Sequence, residues 1–206
     1  MQLITRVKQI WDGAGSKLWL RPYNIFITSS DSAIMEFIPD SVSIHGLKKQ
    51  IANNQKMTGK LTGLKQFYLW YYGPKFEEAR MNFLHSLAAY SVFCYVFSVK
   101  DRHNGNILLT RQGHLLHIDF GFFLQNSPGK VIETEKAPFK LTSDYIEMLD
   151  GQGSAKFQLF KELVHLGLTE VKRNIKELLN LILILSKGKL CCLIIFRVPN
   201  ALLCKS

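Results

Sequence analysis

The chain has 206 residues, 47% hydrophobic and 20% charged, with a formal net charge of +10. That length suits one domain or one and a half, and the balance excludes a disordered or fibrous chain. The positive excess points to anionic partners, nucleotide phosphates or an acidic membrane face; no finger, homeodomain or RNP-like motif supports nucleic acid.

In chain order, Leu3, Ile4, Val7, Ile10 and Trp11 recur at helical spacing, and Gly13 and Gly15 end that helix. Met1 to Trp11 lacks the apolar core of a signal peptide. Leu18 to Ser29 reads as strands, Asp31-Ser32 as a turn, and Ala33 to Ile38 as a short apolar strand closed by Pro39-Asp40. Gln50 to Gly63 is polar and Lys-rich, a loop or short helix. Lys75 to Val99 reads as one long helix with Pro74 near its start, on which Phe76, Ala79, Phe83, Leu87, Tyr90 and Cys94 share a face. Its stretch from Leu84 is interrupted by His85, Ser86, Ser91 and Ser98 and is short for a bilayer span, so a buried core helix is expected.

Phe122 to Lys140 is a long loop broken by Pro128-Gly129 and Pro138, and a loop of that length inside a domain is usually functional. Thr142-Ser143-Asp144 starts a helix, and one or two more follow from about Ala155 to Leu185, broken near Gly167. Cys94, Cys191, Cys192 and Cys204 have no metal-ligand spacing, and a vicinal pair is a poor disulfide framework, so reduced thiols are expected.

Chemistry concentrates in Lys100-Asp101-Arg102-His103-Asn104-Gly105-Asn106 and in His117-Ile118-Asp119-Phe120-Gly121. Protein kinases place a base Asp five residues before a metal-binding Asn and follow them with the Asp of D-F-G. Asp101 and Asn106 keep that step, and Asp119 opens D-F-G. A carboxylate and an amide carbonyl suit Mg²⁺, which is hard and prefers oxygen, so Asp119 and Asn106 are the candidate metal ligands. Asp101 or His103 is the candidate acceptor of the attacking hydroxyl's proton. Each residue alone has a plainer reading: Asn104-Gly105 as a turn, Asp-Arg-His as a solvated loop. The two strings, joined by strand-like Ile107–Leu109 and Leu115–Ile118, make the chemical reading the stronger one.

The order D-R-H, with D-R-H-N-G-N and H-I-D-F-G complete, resembles the phosphatidylinositol 3-/4-kinase family. Leu18-Trp19-Leu20-Arg21-Pro22-Tyr23, Val42-Ser43-Ile44-His45 and Ala137-Pro138-Phe139-Lys140-Leu141-Thr142 are similar to its type III beta 4-kinases. The resemblance covers roughly residues 1 to 185. It implies an α+β, protein-kinase-like catalytic domain, mainly the helical C-lobe with the last strands of the N-lobe. Residues 1–40 would be an N-lobe remnant and hinge, 41–185 the C-lobe, and 186–206 an atypical, apolar tail. It implies transfer of the ATP γ-phosphoryl to the 4-hydroxyl of phosphatidylinositol, with Mg²⁺, on a cytosolic and Golgi-type membrane face. Met35–Ile38 would be the hinge, with Glu36 and Ile38 bonding adenine, Tyr23 lining the inner wall, and Leu108 and Ile118 closing the pocket below. Lys130, Lys136 and Lys140 would face the lipid headgroup, and Arg102 would tie the catalytic loop down.

Two departures temper the expectation. No strand Lys or phosphate loop is visible, because Gly13-Ala14-Gly15-Ser16-Lys17 fits neither phosphate-loop pattern, so the isolated chain is expected to be nearly inactive. A phosphatidylinositol-3-kinase-related protein kinase is the alternative, but that group usually reads D-R-H-P-x-N where this chain has Asn104-Gly105. A non-catalytic fragment is the other.

Overall fold

Helix α1 (Gln2–Gly13) buries the five apolar positions its spacing marks: Leu3, Ile4, Val7, Ile10 and Trp11. The structure, a computed structural model, describes residues 1–29, 31–53, 61–124 and 137–186. Gly15, at φ +67°, turns the chain out of α1 and donates its N–H to Asp12. The Gly13–Lys17 stretch is therefore a helix end.

Leu18 to Asn24, expected as strand, forms none; only Ile25–Ile27 (β1) pairs, antiparallel, with Ala33–Met35 (β2). The physical reason lies in the partners. Trp19 gives its backbone N–H to His85 O, and Arg21 gives its own to the Tyr90 hydroxyl, so a helix takes the donors that a sheet would need. Strand β3 (Ser41–Ser43) follows and runs into α2 (Ile44–Asn53), which covers the start of the segment expected as loop or short helix.

Helix α3 (Leu64–Tyr72) leads through a single 3-10 turn at Gly73–Lys75 into α4 (Phe76–Val96). At 21 residues, α4 is about 30 Å long. Glu77 and Glu78 in its first turn suit the positive end of the helix dipole. All six residues of the expected shared face are buried, and so are neighbours on other faces, including Leu84, Ala88, Val92 and Phe93. The helix is an axle with packing all round it. Ser98, at φ +47°, ends it.

Strands β4 (Ile107–Thr110) and β5 (Leu115–His117) form a hairpin that β3 joins, in the order β3-β4-β5, all antiparallel. The hairpin turn needs Gly113: at φ +86°, a Cβ there would lie 2.8 Å from Ala79 O. Helices α5 (Ser143–Met148), α6 (Ala155–Arg173) and α7 (Ile175–Ser186) complete the described chain. Gly167 lies inside α6 and does not break it, contrary to the expected interruption; a Cβ there would meet Leu18 Cδ1 at 2.8 Å and Val92 Cγ2 at 3.1 Å. Trp11 Nε1 donates to the Gly167 carbonyl at 3.1 Å, so α1 and α6 touch backbone to ring.

One buried cluster runs from Leu3 to Ile182, joining α1, the sheet and α4 to α7. Arg80, buried in α4, meets Asp150 through an Nη1 hydrogen bond of 3.1 Å, and Lys65 reaches the same carboxylate at 2.8 Å. The Lys65 bond, then Arg80, hold Asp150 down at about 2 against a partial burial that raises it. Among the described residues, no helix is long and apolar enough to cross a membrane.

Candidate active site

Residues 100–106 follow α4, which ends at Val96 rather than the expected Val99, and enter β4 at Ile107, while Ile118 and Asp119 follow β5. The two strands are in register from Ile107↔His117 to Leu109↔Leu115, and one further bond, Ile118 N–H to Asn106 O at 3.0 Å, extends the ladder to the site. That bond brings Asn106 and Asp119 together. The side chain of Asn106 is buried and gives its Nδ2–H to Asp101 O at 3.0 Å. Its Oδ1 is thereby turned away as an acceptor. Asp119 Oδ1 accepts the Gly121 N–H at 3.2 Å, which folds D-F-G into a tight turn.

Asp101 (φ +60°) and Asp119 (φ +56°) both sit in the left-handed region. Such conformations cost about 1–3 kcal/mol for a non-glycine residue and gather at functional sites; Asp tolerates them better than most. The surroundings impose them. Arg102, buried, donates Nε to Lys100 O at 2.9 Å, Nη1 to Ile118 O at 2.7 Å and Nη2 to Asp119 O. One guanidinium thus staples both loops, in the role expected for it, and burial lowers its pKa. Its Cζ lies 5.4 Å from the centre of the Phe120 ring, whose other side meets Phe93 edge-on. Lys100 N–H to Phe122 O (2.9 Å) and Leu124 N–H to Phe97 O (2.8 Å) bind the segment after D-F-G to the end of α4.

His103 is 58% exposed at its side chain, with Nε2 3.9 Å from Asp101 Oδ2. Its Nδ1 accepts the Gly105 N–H at 3.0 Å. A neutral ring held that way carries its proton on Nε2, facing the Asp101 carboxylate. Gly105 is required by this packing, because a Cβ there would fall 2.8 Å from His103 Cε1. Asn104 faces elsewhere: its carbonyl accepts His45 N–H at 3.0 Å, and Lys140 Nζ donates to its Oδ1 at 2.7 Å. Lys140 therefore stands against the catalytic loop, whereas Lys130 and Lys136 lie outside the described residues.

A cavity of about 520 Å³ opens beside these groups, with Tyr23, Ile25, Met35, Phe93, Asp119 and Gly121 among its walls. It brings Tyr23 and Asp119 into one lining. Burial pushes the Tyr23 phenol up, opposed by a hydrogen bond with the Asp119 backbone. Glu36, Ile38, Leu108 and Ile118 do not line it. Leu108 and Ile118 pack half-buried against the core, and Ile38 is buried. Glu36 spends its N–H on Asn24 O (2.9 Å), and its carboxylate takes the Asn24 N–H (2.8 Å) and Nδ2–H (3.0 Å).

Sequence reasoning missed the support beneath D-F-G. His117 is buried, stacks on Tyr90 with centroids 4.6 Å apart, and places Nδ1 3.4 Å from Cys94 Sγ. Burial first, then the positive charges of Arg102 and Lys140, hold it well below the ordinary histidine range, so it is neutral. The motif H-I-D-F-G contained it, but only the stack on α4 gives it a role.

A family model described as phosphatidylinositol 3- and 4-kinase matches residues 1–195, beyond the residue-185 limit read from the sequence. The chain is 44% identical over 195 residues to a phosphatidylinositol 4-kinase of Dictyostelium discoideum, covering 94% of this chain and 16% of that protein. It is 42% identical over 199 residues to phosphatidylinositol 4-kinase beta 1 of Arabidopsis thaliana, covering 93% of this chain and 17% of the relative. Against phosphatidylinositol 4-kinase beta of Xenopus laevis it is 36% identical over 191 residues, 91% of this chain and 22% of the relative. The chain thus spans roughly a sixth to a fifth of the length of these relatives.

Proposed function

The chain belongs to the phosphatidylinositol 3- and 4-kinase family, and from that premise we propose that it forms part of the catalytic domain of a phosphatidylinositol 4-kinase. The reaction is transfer of the γ-phosphoryl group of ATP to the 4-hydroxyl of phosphatidylinositol in a membrane face, giving phosphatidylinositol 4-phosphate. The names of the relatives support the regiochemistry. The single observation that carries the reading is the bond from Ile118 N–H to Asn106 O, which sets Asn106 beside the residue preceding Asp119 under the Arg102 staple.

The donor set fits Mg²⁺: Asn106 would offer its amide oxygen and Asp119 a carboxylate oxygen, both hard donors, with Asp101 in the same loop as Asn106. Bound there, the ion would offset the charge of the phosphoryl oxygens. The protein's own part is to hold these oxygens still before ATP arrives. Left-handed Asp119 and the Arg102 bonds to its carbonyl do this.

For the proton, Asp101 and His103 would act together. His103 Nδ1 is occupied by the Gly105 N–H and Nε2 lies 3.9 Å from Asp101 Oδ2, so the acceptor left for the substrate proton would be the Asp101 carboxylate, with His103 beside it. For adenine, the Glu36 carbonyl and the Ile38 N–H would serve as acceptor and donor, two groups close in sequence to the cavity's Met35 but outside its lining. Tyr23 and Met35 would flank the base in the cavity. Lys140 is placed to meet the headgroup phosphodiester beside Asn104, and Lys130 and Lys136 would extend that contact. Glu133 and Glu135 on the same loop would repel further phosphates. A cytosolic, Golgi-type membrane site follows by family analogy.

The test is a lipid panel on a longer protein containing this segment, with ATP and Mg²⁺. Phosphatidylinositol should be converted to the 4-phosphate, and phosphorylated inositides used poorly. Equal or better use of the 4,5-bisphosphate would overturn the substrate assignment. Peptide phosphorylation without lipid turnover would favour a protein kinase.

A further inference from the structure

From Ser41 to Lys75 the chain carries six lysines, Lys48, Lys49, Lys56, Lys60, Lys65 and Lys75, and not one Asp or Glu. In the described part of this stretch residues of α2, α3, β3 and β4 line one open cavity of about 620 Å³. Its apolar walls are Leu47, Ile51, Phe67, Trp70, Tyr71 and Leu109, with Gln50 and Arg111 among its polar residues. Along α3, Leu69, Trp70 and Tyr71 are about half exposed, at 48%, 53% and 50%. Phe67 stacks on Tyr71 at 5.4 Å and leans on Trp70 at 6.1 Å, so the rings form one patch. Lys49 and Lys75 stand exposed at either end of it.

We propose that this α2–α3 face is a docking surface for an anionic lipid bilayer. Trp and Tyr favour the headgroup boundary, where an apolar ring can be buried while its polar edge stays wet. Lysines interact with acidic headgroups; Lys48 and Lys65 are engaged by Asp144 and Asp150, which leaves exposed Lys49 and Lys75 as the lysines the described face offers. The cavity between the helices gives an acyl chain or a ring from the boundary a place to enter. The face is also continuous with the catalytic loop. The first turn of α2 bonds it through His45 N–H to Asn104 O. Lys48, one turn on, pairs with Asp144 at 2.6 Å, at the start of the helix that follows Lys140. A bilayer seated on α2 and α3 would thus lie alongside Asn104 and Lys140.

This inference deepens the lipid-kinase reading and rests on it for direction, but its test is separate. Residues 1–206 are mixed with vesicles of phosphatidylcholine alone or with about a third phosphatidylserine, without phosphatidylinositol, ATP or Mg²⁺. Cosedimentation should occur on the anionic vesicles and weaken with added NaCl. Bromine-labelled acyl chains should quench tryptophan emission, and Trp70→Phe should remove most of the quenching, because Trp11 is fully buried and Trp19 is stacked on His114. Trp70→Ser with Tyr71→Ser, and separately Lys49→Glu with Lys75→Glu, should each lower the partition coefficient by on the order of tenfold or more. All four positions are at least half exposed or on the rim, so circular dichroism should be unchanged. No binding to anionic vesicles, or binding indifferent to both pairs, would overturn the proposal. So would preferential binding of single-stranded nucleic acid by the same face, or a second copy of the chain covering it in sedimentation. A longer protein that lacks lipid-kinase activity but whose segment binds these vesicles would fail the first reading and spare this one.

Discussion

The loop pair around Asp119 and the β1–β2 ribbon are both short, both built on antiparallel pairing, and opposite in every physical respect. Around Asp119, Arg102 meets three carbonyls, His117 lies under a ring stack, and Leu115 and Leu116 are fully buried. In the ribbon all six paired residues are exposed although all six are apolar or aromatic, and Ile27 reaches 81%, with Phe37 beyond it at 82%. The lesson is that apolar composition marks strand-forming residues without saying which of them find cover. Precision at the site comes from the elements that are covered.

The largest effect that sharpens this contrast is on stability. Leu116→Ala, in the buried hairpin, should cost about 2–5 kcal/mol. Ile27→Ala, in the ribbon, should stay within about 0.5 kcal/mol. Urea unfolding of residues 1–206 measures both; equal costs would mean that the ribbon is covered in solution.

An intermediate effect concerns acid. His114 is held at about 4, by burial and then by His85, and His117 is displaced the same way by burial. The unfolded chain therefore binds protons that the folded chain refuses, and stability falls as pH drops from about 6.5 towards 4. Asp150, held at about 2, adds a second loss between 3.8 and 2. The ribbon strands hold no titratable group, so these losses belong to the core side of the comparison. Urea midpoints at pH 7 and 5 should differ, and a flat profile would contradict the buried neutral histidines.

The smallest effect is local. Arg102→Lys keeps the charge and loses the fork that reaches three carbonyls. Amide exchange should quicken from Lys100 to Gly121, with β1 and β2 unchanged. Exchange unaltered around Asp119 would remove Arg102 from its stapling role.

Much of this was legible in the residues. Helices α1 and α4 follow from 3.6-residue spacing, and the site from two short strings whose members do meet. What stayed hidden has a common cause: it depends on partners far along the chain. Leu18 to Asn24 has strand composition, yet Tyr90 and the His85 carbonyl take its donors. Glu36 could be named as a hinge residue, but not that Asn24 would claim its N–H. Lys140 could be assigned to a substrate loop, but not to the Asn104 amide. Gly167 looked like a helix breaker because its close neighbours, Leu18 and Val92, are remote in sequence.

The central claim is that Asn106 and Asp119 form one oxygen site for the metal, and it is tested most directly by substitution in a longer kinase containing this segment. Asp119→Ala and Asn106→Ala should each reduce Mg²⁺-dependent transfer to phosphatidylinositol by at least about 10²-fold, while Asn104→Ala, which loses only the Lys140 contact, should be milder. Near-normal turnover by the Asp119→Ala enzyme with Mg²⁺ would contradict the account.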